Sequence, residues 1–392
     1  MDFEFTPEQI CFRQEIQNFL EAELNQGSFE PKPNAWIDGF SQQFSKKISK
    51  RGWIGLTWPK ESGGQGRGYM DRLILVEELV KAQAPIAFHF LADRQVGPAL
   101  IHFGNEELKK EFLPKIINAD VSFCLCFSEP DAGSDLASVR TTAVDQGEYF
   151  LVNGQKVWTS CGHLAHFGWL LAKTNFDEKL PKHKTLSEFI LDMKDPRVTV
   201  RPLINMAGAH SFNEVFLDDV HIPNNRLVGS RDKGFDQVME QMVNERAGIE
   251  RLMQNYQVKE GLVEYVRIAK RNGKHLLEDA IVRNAIATLE IEFNVGKLLC
   301  YNVAWTIDQD RTPYYEASVC KVFCTQYEQR LNDVATRIMG RYGQLMPGSK
   351  RAPHRGMIAE SYLSSPSYTL QGGTVEILKN IIALRGLKLQ TK

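Results

Sequence analysis

Two places in this 392-residue chain combine residue types that could do chemistry. The first is Phe123 to Asp135, FCLCFSEPDAGSD, a strand-like apolar run that breaks at Pro130 into a turn. The turn region carries Ser128, Glu129, Gly133, Ser134 and Asp135. A buried strand ending in hydroxyls and a glycine sets hydrogen-bonding groups at a rigid edge, as a planar cofactor with polar rim atoms requires. A turn that merely joins two strands has the same composition. The second place is Glu245. At about 100° per residue, Val238, Met242, Glu245 and Ile249 fall on one helical face. A carboxylate centred on an apolar stripe is either a desolvated functional group or the partner of a nearby cation such as Arg246 or Arg251. Glu240 and Glu250 fall away from that stripe and read as solvated charges.

Other chemistries find little support. The formal net charge of -1 leaves no footprint for nucleic acid or an anionic membrane. No apolar run approaches the ~20 residues of a spanning helix. The start, MDFEFTPEQI, lacks the order of a signal peptide, so an intracellular, cytoplasmic location is expected. Seven cysteines argue against a disulfide framework. Cys124/Cys126 and Cys320/Cys324 have the form of metal pairs, but nothing with zinc-site spacing accompanies them. His163 and His166 lack a third ligand in sequence. Buried free thiols and no metal are the expectation.

The elements that must position these residues follow from periodicity. Residues 1–120 read as helical, opening with a capping hydroxyl, proline and glutamine at Thr6-Pro7-Glu8-Gln9. Helices are expected near 70–84 and 105–117, with Gly52–Gly66 a loop. Over 121–230 the period changes to two. Strands are expected at 139–144, 167–173, 187–193, 198–204 and 212–220. Turns are expected at Asp145-Gln146-Gly147 and, as a tight hairpin, at Asn153-Gly154. Close-spaced short strands suggest a β-barrel or sandwich. From 231 to 392 the helical period returns, with long helices at 235–271, 276–308 and 314–341 and shorter ones after Pro353 and Thr374. The fold class is therefore α+β: an N-terminal helical domain, a middle β domain and a C-terminal helical bundle of four-helix type.

This order, with its motifs, resembles the acyl-CoA dehydrogenases over nearly the whole chain. FCLCFSEPDAGSD resembles that family's flavin-contacting signature, and Asn153-Gly154-Gln155-Lys156-Val157-Trp158-Thr159-Ser160 its second flavin segment. Glu214–Val220 with Ile222-Pro223 is similar to the strand closing its β domain. Gly372-Gly373-Thr374-Val375-Glu376-Ile377 is similar to its C-terminal motif. The resemblance implies FAD-dependent α,β-dehydrogenation of an acyl-CoA thioester, with electrons passing to an electron-transferring flavoprotein. It also implies dimers of dimers formed through the helical bundle. On the matching positions, Leu125 and Phe127 meet the flavin ring and Ser128 faces its N5 side, with Gly133 in the same turn. Trp158 lies against the ring and Ser160 bonds its edge. Ser134, Phe235 and Gly372 fall to the substrate.

The family's base often precedes the C-terminal Gly-Thr. Here that place is Gly372, which cannot take a proton. A second arrangement, of the isovaleryl-CoA dehydrogenase type, puts glutamate just before an arginine on the first C-terminal helix. Glu245-Arg246 matches it, giving Glu245 as base and Arg246 as a CoA contact. The usual Arg-x-x-Phe-Gly and Gln-x-x-Gly-Gly-x-Gly stretches are replaced by Ala269–Gly273 and Arg337–Gly343. Either Arg271, Arg337 or Arg341 supplies the phosphate charge from a shifted position, with Gly340 also on the cofactor, or FAD binds differently; Thr374 and Glu376 keep the C-terminal motif. A homologous partner subunit completing the FAD site is a second arrangement known in the family. Gly372 and Ala207–Ala209 either leave room for a branched, cyclic or aromatic-bearing acyl group or are only turn glycines and alanines. Oxygen-using flavin enzymes and a structural subunit share the resemblance.

Overall fold

The computed structural model describes residues 4–246 and 248–390, with the side chains of 243–246 outside the described set. The N-terminal part consists of α1 (Pro7–Asn25), α2 (Ala35–Asp38), α3 (Gln42–Lys50), α4 (Tyr69–Lys81), α5 (Ala87–Leu91), α6 (Gly97–Phe103) and α7 (Glu106–Ile117). The expected capping box opens α1: Thr6 Oγ1 accepts from Gln9 N, and Gln9 Oε1 accepts from Thr6 N. The middle part is β1 (Phe123–Cys126), β2 (Thr142–Asp145), β3 (Tyr149–Lys156), β4 (Phe167–Lys173), β5 (Leu186–Asp192), β6 (Val198–Leu203), β7 (Phe212–Pro223) and β8 (Leu227–Val228). They form one sheet in the order β6-β7-β3-β2-β4-β5-β8, with β1 added parallel to β4. The C-terminal part holds α8 (Gly234–Arg246), α9 (Glu250–Met253), α10 (Tyr256–Ile268), α11 (Ala280–Asp308), α12 (Glu316–Met339), α13 (Met357–Tyr368) and α14 (Val375–Ile381). No helix among the described residues is long and apolar enough to cross a membrane.

Two expectations need correction. Asn153-Gly154 is not a hairpin turn but lies inside β3, where the register against β7 shifts between Val152 and Gly154. Asn153 bonds across to Asp219 through both its Nδ2 and its Oδ1 instead of closing its own turn. At Gly154 a Cβ would lie 2.4 Å from Thr141 Oγ1, so the glycine serves close packing inside the sheet. The turn is one step earlier, at Asp145-Gln146-Gly147, where Gly147 N donates to Asp145 Oδ1 at 2.9 Å. The single helix expected over 235–271 is three: α8, α9 and α10. The interruption carries Gly248, where a Cβ would sit 1.8 Å from the Glu250 carboxylate. Glu250 is turned inward, and a side chain at 248 would occupy its place.

The sheet has two apolar faces, as a strand's period of two requires. Leu170, Ala172, Phe189 and Leu191 pack into a core within the middle domain. Trp169, Leu171, Leu186 and Ile190 face the other way and join a core that runs continuously through both helical parts. Glu188 sits between Leu186 and Ile190 on this second face and is fully buried. It accepts from Trp169 Nε1 at 2.7 Å and from Gln241 Nε2 at 3.0 and 2.8 Å, so it ties β5 to α8. Gln237, one turn before Gln241, donates to Val228 O on β8 at 3.2 Å. Two successive turns of α8 are thereby pinned to the sheet.

Burial pushes the Glu188 carboxyl up to about 8 from 4.5, against the opposing hydrogen bonds from Trp169 and Gln241. A carboxyl whose folded pKa exceeds its unfolded one stabilises fully below the unfolded value and loses that contribution as pH rises through the folded value. Wild-type stability should therefore fall, relative to Glu188→Gln, as pH rises from about 4.5 through about 8. Urea midpoints of the two proteins across that range test it. Parallel curves would show that the carboxyl does not stay protonated in the fold.

Candidate functional site

The edge anticipated at Phe123–Asp135 is built from three strands and one buried ion pair. β1 ends at Cys126, and Phe127 is buried behind it. Lys156, at the end of β3, is fully buried and donates to Phe127 O at 3.1 Å and to Glu129 Oε1 at 2.8 Å. Glu129 also accepts from the backbone N of Arg140 at 2.6 Å and of Thr141 at 2.8 Å. One carboxylate thus fastens the turn after β1 to β3 and to the segment entering β2. Burial raises the Glu129 carboxyl, but Lys156 and these bonds outweigh it and hold the group below its ordinary value. For Lys156 burial wins over the attraction of Glu129, and its pKa falls below the ordinary amine value.

The pair brings together the sequence-predicted residues of the flavin signature. Val157 N donates to Ser128 O at 2.9 Å, which sets Trp158 next to the Ser128 turn. Trp158 is 63% exposed, with only an edge contact to Phe212, and its φ of +61° is left-handed. A bulky side chain held in that region stores strain, which the backbone fixes on both sides. Thr159 N donates to Asn213 O, and Asn213 Nδ2 returns a bond to Thr159 O. Ser160 follows, half-buried, and Leu125 is half-buried on β1. Gly133 is open, with nothing within 4 Å of a would-be Cβ, and Ser134 beside it is exposed.

Beside the turn runs a groove of about 670 Å³ lined by Asp131, Asp135, Ser138, Arg140, Lys173 and Lys182 among others. Gly133 and Ser134 lie in sequence between Asp131 and Asp135. Lys182 Nζ donates to Ser138 Oγ at 2.9 Å. The groove presents hydroxyls and charges of both signs, with Asp177 and Glu178 beside the two named aspartates, to a long polar ligand.

The helical side of the site starts from α8. Phe235 is half-buried, with its ring centroid 5.9 Å from that of His183. Glu245 and Arg246 close α8, one turn beyond Gln241, and their side chains lie outside the described residues. Glu240 is exposed, as expected. Glu250, expected in solvent, is fully buried and ion-paired with Arg94 of the N-terminal part. The helix break turns its carboxylate into the interdomain core, where the Arg94 guanidinium compensates it. Glu250 also lines a small cavity of about 30 Å³ with Tyr69, Arg72, Asp93 and Ala304, room for about one or two waters.

The C-terminal residues gather separately. Arg271 Nη2 donates to Ile338 O at 2.8 Å, which brings it to the end of α12. Arg337 pairs with Asp333 at 2.9 Å and is exposed. Gly340 ends α12 with φ +58°. Thr374 caps α14 by accepting from Ile377 N at 3.3 Å, with Glu376 exposed in the first turn and Gly372 at φ +65° before it. These residues surround two helix ends, and no bond links them to Trp158 within the chain among the described residues. Glu188 and Glu250 are the groups that sequence reasoning missed or misplaced. Glu188 was legible in outline, since a charge between Leu186 and Ile190 shares their face. Glu250 was not, because its direction depends on the break at Gly248.

Comparison with known proteins covers the chain from end to end. Residues 6–120 match the acyl-CoA dehydrogenase N-terminal domain, 124–220 the middle domain and 232–387 the C-terminal domain. The acyl-CoA dehydrogenase FadE29 of Mycobacterium tuberculosis is 31% identical over 99% of each chain. The crystal structure of the ChsE4-ChsE5 complex from Mycobacterium tuberculosis superposes with a TM-score of 0.88 at 30% identity over 100% of both chains. The Tcur3481-Tcur3483 steroid ACAD gives the same TM-score at 27% identity, also over both full chains.

Replacing Glu129 with alanine would leave Lys156 buried without its carboxylate. A loss of about 3–5 kcal/mol is expected, read from urea unfolding. Glu129→Ala together with Lys156→Met should recover most of it. A single variant within about 0.5 kcal/mol of wild type would show that the pair does not hold the turn.

Proposed function

The chain belongs to the acyl-CoA dehydrogenase family, and from that premise we propose an FAD-dependent α,β-dehydrogenation of a bulky acyl-CoA, with Glu245 as the base. That the protein is an acyl-CoA dehydrogenase, a flavoprotein oxidoreductase, follows from the family itself. The observation that carries the finer reading is Trp158: an exposed indole, held in a strained backbone by the Ser128 turn and Asn213. The surface suits a flat apolar ring with a polar rim. Trp158 and Leu125 offer apolar contact, and Ser128 and Ser160 offer hydroxyls, with Phe127 behind and Gly133 leaving space.

When bound, FAD supplies the acceptor for the β-hydride. The protein's part is to hold, orient and deprotonate. The groove at Asp135, Ser138, Arg140 and Lys182 would take the polar nucleotide end of the thioester, with Ser134 at its inner side. Gln237 and Gln241 pin α8 to the sheet, which fixes the turn that follows. Residue 245 is in that turn. A base there needs a carboxyl desolvated enough to accept an α-proton near neutral pH. Arg246 is the neighbouring cation we assign to the CoA ester. Arg271, Arg337 and Gly340 lie at the end of α12 and Thr374 and Glu376 at the start of α14, and we assign both groups to the cofactor's phosphates in an assembled oligomer.

The exposed apolar residues Ile291, Val295 and Leu298, spaced four and three along α11, support such an assembly. Both structural neighbours bear two-component names, which supports a homologous second subunit as readily as a homotetramer. The word steroid in one of them, with Gly372 bare of a side chain, supports a ring-bearing acyl group. We take the electron acceptor to be an electron-transferring flavoprotein and the compartment to be the cytoplasm.

Glu245→Gln should leave a folded, yellow protein whose bleaching by substrate slows by about 10²–10⁴. Stopped-flow absorbance with a panel of CoA esters measures this, and bleaching at the wild-type rate would remove Glu245 from the role. Trp158→Ala should change stability by less than about 0.5 kcal/mol, since the ring is exposed, yet lower the flavin content on purification. Unchanged flavin content would move the ring site elsewhere. After substrate reduction, faster reoxidation by air than by electron-transferring flavoprotein would favour an oxidase.

A further inference from the structure

The C-terminal bundle contains a group of side chains that the proposed reaction does not use. Cys300 on α11 meets Cys320 and Cys324 on α12, and the three Sγ atoms lie within 4.8 Å of one another. All three are buried, and Cys300 Sγ is 3.4 Å from Cys320 Sγ. In sequence only Cys320 and Cys324 are spaced as neighbours, one helical turn apart. The antiparallel packing of the two longest helices supplies the third sulfur.

We propose that Cys300, Cys320 and Cys324 form a three-thiolate site for a soft monovalent metal ion, copper(I), in the bundle core and apart from the Trp158 surface proposed for the flavin. Metal–sulfur bonds of about 2.3 Å in a trigonal plane place the sulfurs about 4 Å apart, which falls between the shortest separation here and the outer limit of the cluster. Zinc in a structural site takes four ligands. No fourth cysteine, histidine or carboxylate belongs to the cluster among the described residues. Soft sulfur ligands without hard oxygen or nitrogen donors select copper(I).

Leu252 and Gly296 wall the cluster, since a Cβ at Gly296 would come within 3.5 Å of Cys324 Sγ. The small cavity lined by Ala304 and Glu250 lies one turn along α11 from Cys300. Binding forms three copper–sulfur bonds and releases the protons of the three thiols to solvent, with no change in the ion's oxidation state.

The full-length protein, reduced and kept anaerobic, is titrated with copper(I) against a colorimetric copper(I) chelator. Wild type should withhold one equivalent from the chelator, with a rise in ultraviolet thiolate absorption. Cys300→Ala, Cys320→Ser and Cys324→Ala, each checked for helix content, should each weaken retention by more than about tenfold. Cys11→Ser, which removes the exposed thiol, should not change it. No retention by the wild type would overturn the proposal. So would retention that survives loss of any two cluster cysteines, or that disappears with Cys11. Flavin content is read in the same samples, and its constancy separates this site from the proposed catalytic one.

Discussion

The candidate site depends on a buried ion pair. Lys156 and Glu129 come from segments that neither share a hairpin nor neighbour each other in sequence, yet their contact decides where the Ser128 turn stops. A buried lysine on its own carries a desolvation cost of several kcal/mol, so the chain adopts the arrangement in which the carboxylate meets it. Because Glu129 also accepts two backbone N–H groups, it leaves the turn one geometry. Trp158, two residues past Lys156, inherits its place from that pair. The exposed ring is held in position from behind by groups that never reach solvent.

A second constraint acts where the sheet meets the helices. Glu188 is a carboxyl on an otherwise apolar face, compensated by an indole N–H and an amide instead of a cation. Neutrality is how such a group stays buried at moderate pH. Its partner Gln241 is on α8, so the helix that ends with Glu245 and Arg246 is registered against β5. On the far side of the break at Gly248, Glu250 is compensated differently, by Arg94. The short stretch from Gln241 to Glu250 is therefore anchored first to the middle domain and then to the N-terminal one.

Much of this was legible in residue order. The period change near 121 and its reversal near 231 marked the helix–sheet–helix order, because a half-buried strand and an amphipathic helix repeat differently. The capping box at Thr6 and the turn at Gly147 are local, and were read locally. Asn153-Gly154 misled because the pair is a hairpin signal only when both residues are free to turn. Here Thr141 crosses above Gly154, and Asp219 takes the Asn153 side chain. The long helix over 235–271 misled because nothing in its apolar pattern shows that a glycine is making room for a carboxylate.

The sequence by itself determined the class of the fold and the family likeness, since these rest on short-range spacing and motif. The tertiary structure decided what each charge and thiol would face. Glu250 pairs with Arg94, 156 residues away, and Cys300 meets Cys320 and Cys324 across two helices. Neither outcome follows from periodicity, which orients a residue around its own helix but does not say which helix will lie opposite. Desolvation and metal geometry act between elements, so the groups they govern become visible only once the elements are packed.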